Sequence, residues 1–371
     1  MTIRLGTRRS ALALAQSQQV ADRLAEASGR DVVLVPITSE GDVNRASLST
    51  LGGRGVFATR LREALLAGEC DVLVHSLKDL PTAPAPGLVI AATPARQDAR
   101  DVVVTRDGRP LAELHGTVGT GSPRRVAQVR TFNPRVRVAD LRGNVDSRLG
   151  RVRDGELDAV ILAAAGLNRL GGDDPGPTRP EDPGDAAAVR AVGGGIGDLR
   201  VEYLGLAEWP TAPGQGALAV EVREDSDLVD VVAALDDSDT RLAVDAERAV
   251  LAGLDGGCAA PVGVHASVVS TPSFSTPSPA ADASPGAPGR GGPGGTLRIR
   301  AVVYSPDGRR RIGDDRTFRA ARGYAQAEGS GNGANAVDGA DLLLAQSAGF
   351  DVARRLLDLG AADLVTREST P

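Results

Sequence analysis

Lysine is almost missing from this sequence: of its 42 basic residues, Lys78 is the sole lysine and the rest are arginine. Aromatics make up only 2%, so the cores must be built from Val, Leu, Ala and Ile, which a 42% hydrophobic content can supply. Two cysteines, Cys70 and Cys258, are too few for a disulfide framework and suit a reducing cytoplasm. No run approaches the roughly 18 apolar residues of a spanning helix. The opening MTIRLGTRRSALALAQ lacks the continuous apolar stretch of a signal peptide. A net charge of −6 gives no bulk attraction to nucleic acid or anionic membranes. The three histidines, His75, His115 and His265, stand far apart in sequence, so no metal is expected. These absences leave a soluble cytoplasmic protein, and 371 residues suffice for two or three domains.

What is present alternates between strand and helix. Ser10 before ALALAQSQQVADRLAEA predicts an N-capped amphipathic helix, and VVLVPI (32–37) a buried strand. FATRLREALLAG (57–68) predicts a helix closed by Gly68, and DVLVHS (71–76) the next strand. A second unit repeats the pattern through DVVVT, TVGTGSPRRVAQVR, VRVADLRGN, ELDAVILAAAGLNRL and APGQGALAVEVR. Such alternation implies a largely parallel sheet with its sites at the carboxyl ends of strands. TRLAVDAERAVLAGL then predicts a helix, followed by a strand, a hairpin around SPDG and a last helix. Residues 39–55 form a polar, Gly-rich connection. Residues 171–199 read as a Gly/Pro/Asp linker with little to bury, and 271–295 and 325–340 as low-complexity inserts expected to be disordered.

The chemistry-bearing residues sit at predicted strand ends. HSLKDLP (75–81) places His75, Ser76, Lys78 and Asp79 together. A carboxylate beside an ammonium can stabilise a developing cation and pass protons, although an SxKD segment can equally close a simple turn. In a chain that exchanges Lys for Arg this freely, Lys78 marks either a need for a compact ammonium or a chance survival on the surface. GTGSPRR (119–125) offers a helix start, the Ser122 hydroxyl and the guanidiniums of Arg124 and Arg125. Arg142 and Arg148 in LRGNVDSR, with Arg8 after the first strand, complete a set of arginines at equivalent places. Any one of them could be a surface ion pair worth about 0–1 kcal/mol; together they point to a polycarboxylate or phosphate. GTGSPRR lacks the GK[ST] of a P-loop, and its glycines miss GxGxxG with a dinucleotide acidic partner. Cys258 lies in GLDGGCAAPVG, a loop of small residues with no second cysteine nearby, and nothing orients His265 to activate it. A two-lobed, non-catalytic binder of a small polycarboxylate remains the alternative to an enzyme.

Taken in order, GTRRSALALAQ, SEGDV, GGRGVF, HSLKDLP, GTGSPRR, LRGNVDSRL, LDAVILAAAGL, PGQGALAVEVR and AERAVLAGLDGGCAAPVG resemble the porphobilinogen deaminases, or hydroxymethylbilane synthases. The resemblance runs through most of residues 3–265 and more weakly beyond. It implies an α/β fold of three domains. The first two resemble the lobes of type II periplasmic solute-binding proteins, and the third is a small α+β domain with an antiparallel sheet. The implied boundaries are 1–94 with 216–235, then 95–215, then 236–371, with hinges near 94–98 and 213–216. It also implies a transferase that adds four porphobilinogens head to tail onto a dipyrromethane cofactor, loses ammonia at each step and hydrolytically releases hydroxymethylbilane. By the same resemblance Cys258 holds that cofactor through a thioether, Asp79 is the catalytic carboxylate, and Cys70 only packs. Arg8, Ser10, Gln16, Ser76, Lys78, Ser122, Arg124, Arg125, Arg142 and Arg148 match positions that bind cofactor or substrate, and Gln215 falls in the crossover motif. Residues 39–55 match a lid, in which Arg54 replaces the usual lysine. Arg200 is a loose candidate for a further substrate-binding arginine. Porphobilinogen is the implied partner of a monomer that binds neither nucleic acid nor membrane.

Overall fold

The computed structural model describes residues 1–38, 56–171, 189–190, 197–255, 260–270, 295–319 and 339–365. Arg54 with the rest of 39–55, Cys258, and most of the inserts lie outside the described residues.

The first sheet has the order β2 (Val32–Pro36), β1 (Ile3–Thr7), β3 (Val72–Ser76), β11 (Leu218–Arg223) and β4 (Leu88–Ala92). The second has the order β7 (Arg137–Ala139), β6 (Thr117–Gly119), β8 (Ala159–Ala163), β5 (Asp101–Thr105), β10 (Arg200–Tyr203) and β9 (Val189–Arg190). In the first sheet the opening strand of the chain, β1, lies second, and in both sheets the strand that arrives from the other lobe, β11 in the first and β5 in the second, sits fourth. Neither sheet is the largely parallel one expected. β11 runs antiparallel to β3 and β4, and β5 antiparallel to β8 and β10. The cause is topological: a chain that crosses between lobes and returns must enter each sheet from the opposite end.

Helices cover the sheets. Ser10 has extended backbone and accepts from the Ala13 N–H, starting α1 (Ala11–Ser28), which Gly29 closes at φ 64°. α2 (Val56–Leu66) leads into β3. Ser122 caps α3 (Pro123–Phe132) and Asn144 caps α4 (Val145–Arg153). α5 (Ala164–Gly171) follows β8, and its Gly166 packs beside Leu12 of α1, so the lobes touch there. β2 was expected to be buried. It is a sheet edge instead, and Val33 is 46% exposed. Residues 171–199 read as a linker with little to bury, yet Leu199 is buried and β9 pairs with β10. Cys70 packs with Leu61, Leu65 and Leu73, and burial pushes its thiol up to about 11. It is a core residue, as expected.

The third sheet, β12 (Val262–Ser270), β13 (Gly295–Tyr304) and β14 (Arg311–Arg319), is wholly antiparallel. It packs on α7 (Ser238–Gly253) and α8 (Gly339–Asp358), with α6 (Val229–Ala233) before them and α9 (Ala362–Val365) after. α8 begins inside the segment expected to be disordered to residue 340. This third unit grips both lobes. Val244 of α7 joins Leu77 and Ala219 of the first, and Val302 and Tyr304 join Ala127 of the second.

The two crossovers run side by side, so close that a Cβ on Gly216 (φ 89°) would clash with the Gln97 carbonyl oxygen. Buried Glu247 of α7 ties them together. It accepts from Arg96 in the first crossover at 2.7 and 3.1 Å, from the Gly214 N–H in the second at 2.6 Å, and from the Ala266 N–H at 2.8 Å. Burial alone would raise its pKa, but Arg96 and His265 outweigh that and hold it at about 2. The folded-state value is depressed from 4.5, so this stabilisation is full above 4.5 and fades as pH falls toward 2. Glu247→Ala is expected to cost about 3–5 kcal/mol at neutral pH. Denaturant midpoints of the two proteins should converge as the pH is lowered through that window; a gap that stays constant would rule out the ionised clamp.

Candidate active site

The site lies where the carboxyl ends of β1, β3, β6 and β7 face one another across the lobes. After β3 the chain makes one 3-10 turn, Leu77–Asp79, anchored by buried Leu77, whose N–H donates to the Ala217 carbonyl. Leu77 points inward, which leaves Lys78 half-buried and Asp79 exposed in the cleft. Arg8, Ser10, Gln16, His75, Ser76 and Asp79 line one pocket there. The Ser76 hydroxyl donates to Gln16 Oε1 at 3.2 Å, joining β3 to α1.

Across the cleft, Arg124 and Arg125 occupy the first turn of α3, but both reach into the protein. Arg124 Nη1 lies 2.9 Å from Asp101 Oδ2, and Arg125 Nη2 lies 2.6 Å from Asp101 Oδ1. Each is less than a tenth exposed, and the Nε of each is buried without a hydrogen-bond partner among the described residues. Gln215 connects the lobes: its Nε2 donates to Asp101 at 2.8 Å, while its Oε1 accepts from Lys78 at 3.2 Å and faces Arg125 Nη2 at 3.5 Å. Arg148 donates to the Gly143 carbonyl at 2.8 Å. Arg142 lies 3.6 Å from Asp140. Burial, then the neighbouring Arg125 and Arg142, lower the Arg148 pKa. Burial, then Arg125, push Lys78 down to about 8.

The structure thus brings together Arg8, Ser10, Gln16, Ser76, Lys78 and Asp79 on one side and Ser122, Arg125, Arg142 and Arg148 on the other, with Gln215 between. Ser10 and Ser122 are N-caps of equivalent helices, so each pocket wall carries a helix N-terminus that favours anions. Arg200 is not part of this set. It pairs with Thr105, at the opposite end of β5 from Asp101. His75 turns away toward buried Glu221, 3.3 Å distant, which also holds Arg62 at 2.8 Å. Cys258 and Arg54 lie outside the described residues; Asp255, the last described residue after α7, has φ 50°. Sequence reading did not single out Asp101, Trp209 or Glu247. The available signal was slight: one aspartate opening the otherwise apolar strand DVVVT, and the chain's single tryptophan before a proline.

The family model for the dipyrromethane cofactor binding domain of porphobilinogen deaminase matches residues 3–230, and that for its C-terminal domain matches residues 241–331. The chain belongs to the porphobilinogen deaminase family. It is 48% identical over 313 residues to the porphobilinogen deaminase of Leifsonia xyli, covering 82% of this chain and 80% of the relative. It is 51% identical over 274 residues to porphobilinogen deaminase 1 of Streptomyces coelicolor, covering 72% and 78%. A periplasmic binding protein of Salmonella typhimurium is similar at 14% identity with a TM-score of 0.34, covering 63% of this chain and 91% of that one. Among the described residues no helix is long and apolar enough to cross a membrane, and no His/Cys/Asp/Glu cluster could hold a metal.

No lysine other than Lys78 exists, so the only second amine that a reductive-methylation label marks is the α-amino group, and comparison with Lys78→Arg tells the two apart. After reductive methylation with a carbon-13 label, the Lys78 side chain should titrate near pH 8, charged below and neutral above. A midpoint at the ordinary 10.5 would contradict a desolvated ammonium.

Proposed function

We propose that this porphobilinogen deaminase performs its condensation at the cleft just described, with Asp79 as the acid–base group and the surrounding cations as carboxylate binders. The observation that supports this is the asymmetry of charge: Asp79 is the exposed carboxylate on a pocket wall formed by Arg8, Ser10, Gln16 and Ser76, opposite Arg125, Arg142 and Arg148. Porphobilinogen carries two carboxylates and a protonated aminomethyl group. Arginine forks and helix N-termini bind the former, and Asp79 is placed to meet the cationic end. When the C–N bond breaks and ammonia leaves, the positive charge stays on the pyrrole, and a nearby carboxylate stabilises it. The attacking α-carbon must then lose a proton, which Asp79 can accept. Ser76 and Gln16 hold the turn that carries Asp79, and Lys78 and Gln215 keep the two lobes in register.

The residues fit the dipyrromethane cofactor that belongs to this family. Among the described residues the buried Nε atoms of Arg124 and Arg125 have no acceptor and could donate to one of its carboxylates, and Ser122, Lys78, Arg142 and Arg148 would hold the remaining carboxylates. When bound, the cofactor supplies a free pyrrole α-position from which the chain grows. Cys258 is the proposed attachment point and Arg54 a proposed lid contact. The proposed domain division is 1–94 with 216–235, 95–215 and 236–371, in a cytoplasmic monomer, since one chain supplies both walls of the cleft.

Asp79→Ala is expected to leave the fold intact and cut formation of hydroxymethylbilane from porphobilinogen by about 10²–10⁴-fold; an unchanged rate would remove Asp79 from the chemistry. Cys258→Ser should yield protein whose intact mass lacks two linked pyrroles, whereas an adduct of that mass on the variant would place the anchor elsewhere.

A further inference from the structure

Asp101 opens β5 at the mouth of the first crossover, and no part of it reaches solvent. Four side chains donate to its two oxygens. Arg124 Nη1 and Trp209 Nε1 lie 2.9 Å from Oδ2, and Arg125 Nη2 and Gln215 Nε2 lie 2.6 and 2.8 Å from Oδ1. The donors come from α3, from the approach to the second crossover and from the crossover itself, so three separate stretches of chain converge on one carboxylate. Arg125 also donates to the Ile161 carbonyl at 3.1 Å and faces Gln215 Oε1 at 3.5 Å, and these acceptors together with Asp101 set the plane of its guanidinium. Gln215 is oriented in the same way: with Nε2 on Asp101, its Oε1 faces Lys78.

We infer that Asp101 is a positioning residue of the active site, which never meets substrate but fixes the orientation of Arg125 and, through Gln215, of Lys78. The inference rests on the reading of Arg125 as a binder of porphobilinogen carboxylates and of Lys78 as a holder of cofactor carboxylates. The reason is partly electrostatic. Lys78, Arg124 and Arg125 crowd one region and repel one another, with Arg148 beside Arg125, and Asp101 is the buried anion that the first three share. Burial alone would raise its pKa, but the two guanidiniums outweigh that and hold it far below the carboxylate range. The reason is also geometric. All four partners are donors, so an amide at this position would turn its own NH₂ against an N–H and force at least one guanidinium or the Gln215 amide to rotate.

Holoenzyme carrying Asp101→Asn, Trp209→Phe or Arg125→Gln is assayed with porphobilinogen beside the unaltered protein, with KM and kcat resolved. Asp101→Asn should raise KM roughly tenfold or more while kcat changes less, because Asp79 is untouched. Trp209→Phe, which keeps the charge and removes one donor, should raise KM about threefold. A normal KM in folded Asp101→Asn overturns the inference, and should that variant fail to fold, a normal KM in Trp209→Phe overturns it. Arg125→Gln separates the two readings. If it leaves KM unchanged, the carboxylate-binding role of Arg125 fails. If it raises KM while Asp101→Asn does not, only the role of Asp101 is lost.

Discussion

The chain passes between its two lobes twice, and one buried carboxylate from a third unit holds both passes together. Glu247 reaches from α7 to Arg96 and to the Gly214 N–H, and the ion pair sits where water cannot screen it. A buried charge pair of this kind contributes little relative to an apolar replacement, but losing one partner is costly. Its consequence is therefore specificity more than stability: the crossovers can meet in one arrangement only, and the spacing between the lobes follows from it. The glycines of PGQG belong to the same constraint. Gly214 and Gly216 both adopt positive φ, and the Gly216 backbone lies against that of Gln97 with no room for a side chain.

That joint stands directly behind the site. Gln215, between the two glycines, faces Lys78 on one lobe and Asp101 and Arg125 on the other. The turn that carries Asp79 is held by the same segment, since the Leu77 N–H donates to the Ala217 carbonyl. A cluster of cations can persist here before any anionic ligand arrives because each is given an acceptor: Asp101 for Arg124 and Arg125, Gly143 for Arg148 and Gln215 for Lys78. What remains exposed and directed at the cleft is Asp79, together with the polar edges of groups already held from behind. This is how a preorganised polar site differs from a set of surface charges.

The strand ends were legible because apolar runs such as DVLVHS and DVVVT are short and sharply bounded, and the helix caps because Ser10 and Ser122 precede strong helical patterns. The orientation of the strands was not legible: β5 and β11 read locally like their neighbours and become antiparallel only because the chain changes lobes before each. VVLVPI reads as buried, yet it is an edge strand, since apolar content does not report how many neighbours a strand acquires. Arg124 and Arg125 look alike in sequence and are both claimed by Asp101, a residue 23 and 24 positions away that carries no local signature.

The sequence by itself determined the residue types and their order along the chain: one lysine beside an aspartate after a strand, arginines after others, and a cysteine in a loop of small residues. These are local facts, because caps, turns and apolar runs depend on neighbours a few positions away. Only the tertiary structure decided which groups face the cleft and which are held from behind. Contacts such as Asp101 with Trp209, Glu247 with Arg96 and Lys78 with Gln215 join residues 108, 151 and 137 positions apart. At such separations the hydrogen-bonding capacity of a side chain says what it can bind, and only the packing of three units around two crossovers says which partner it meets.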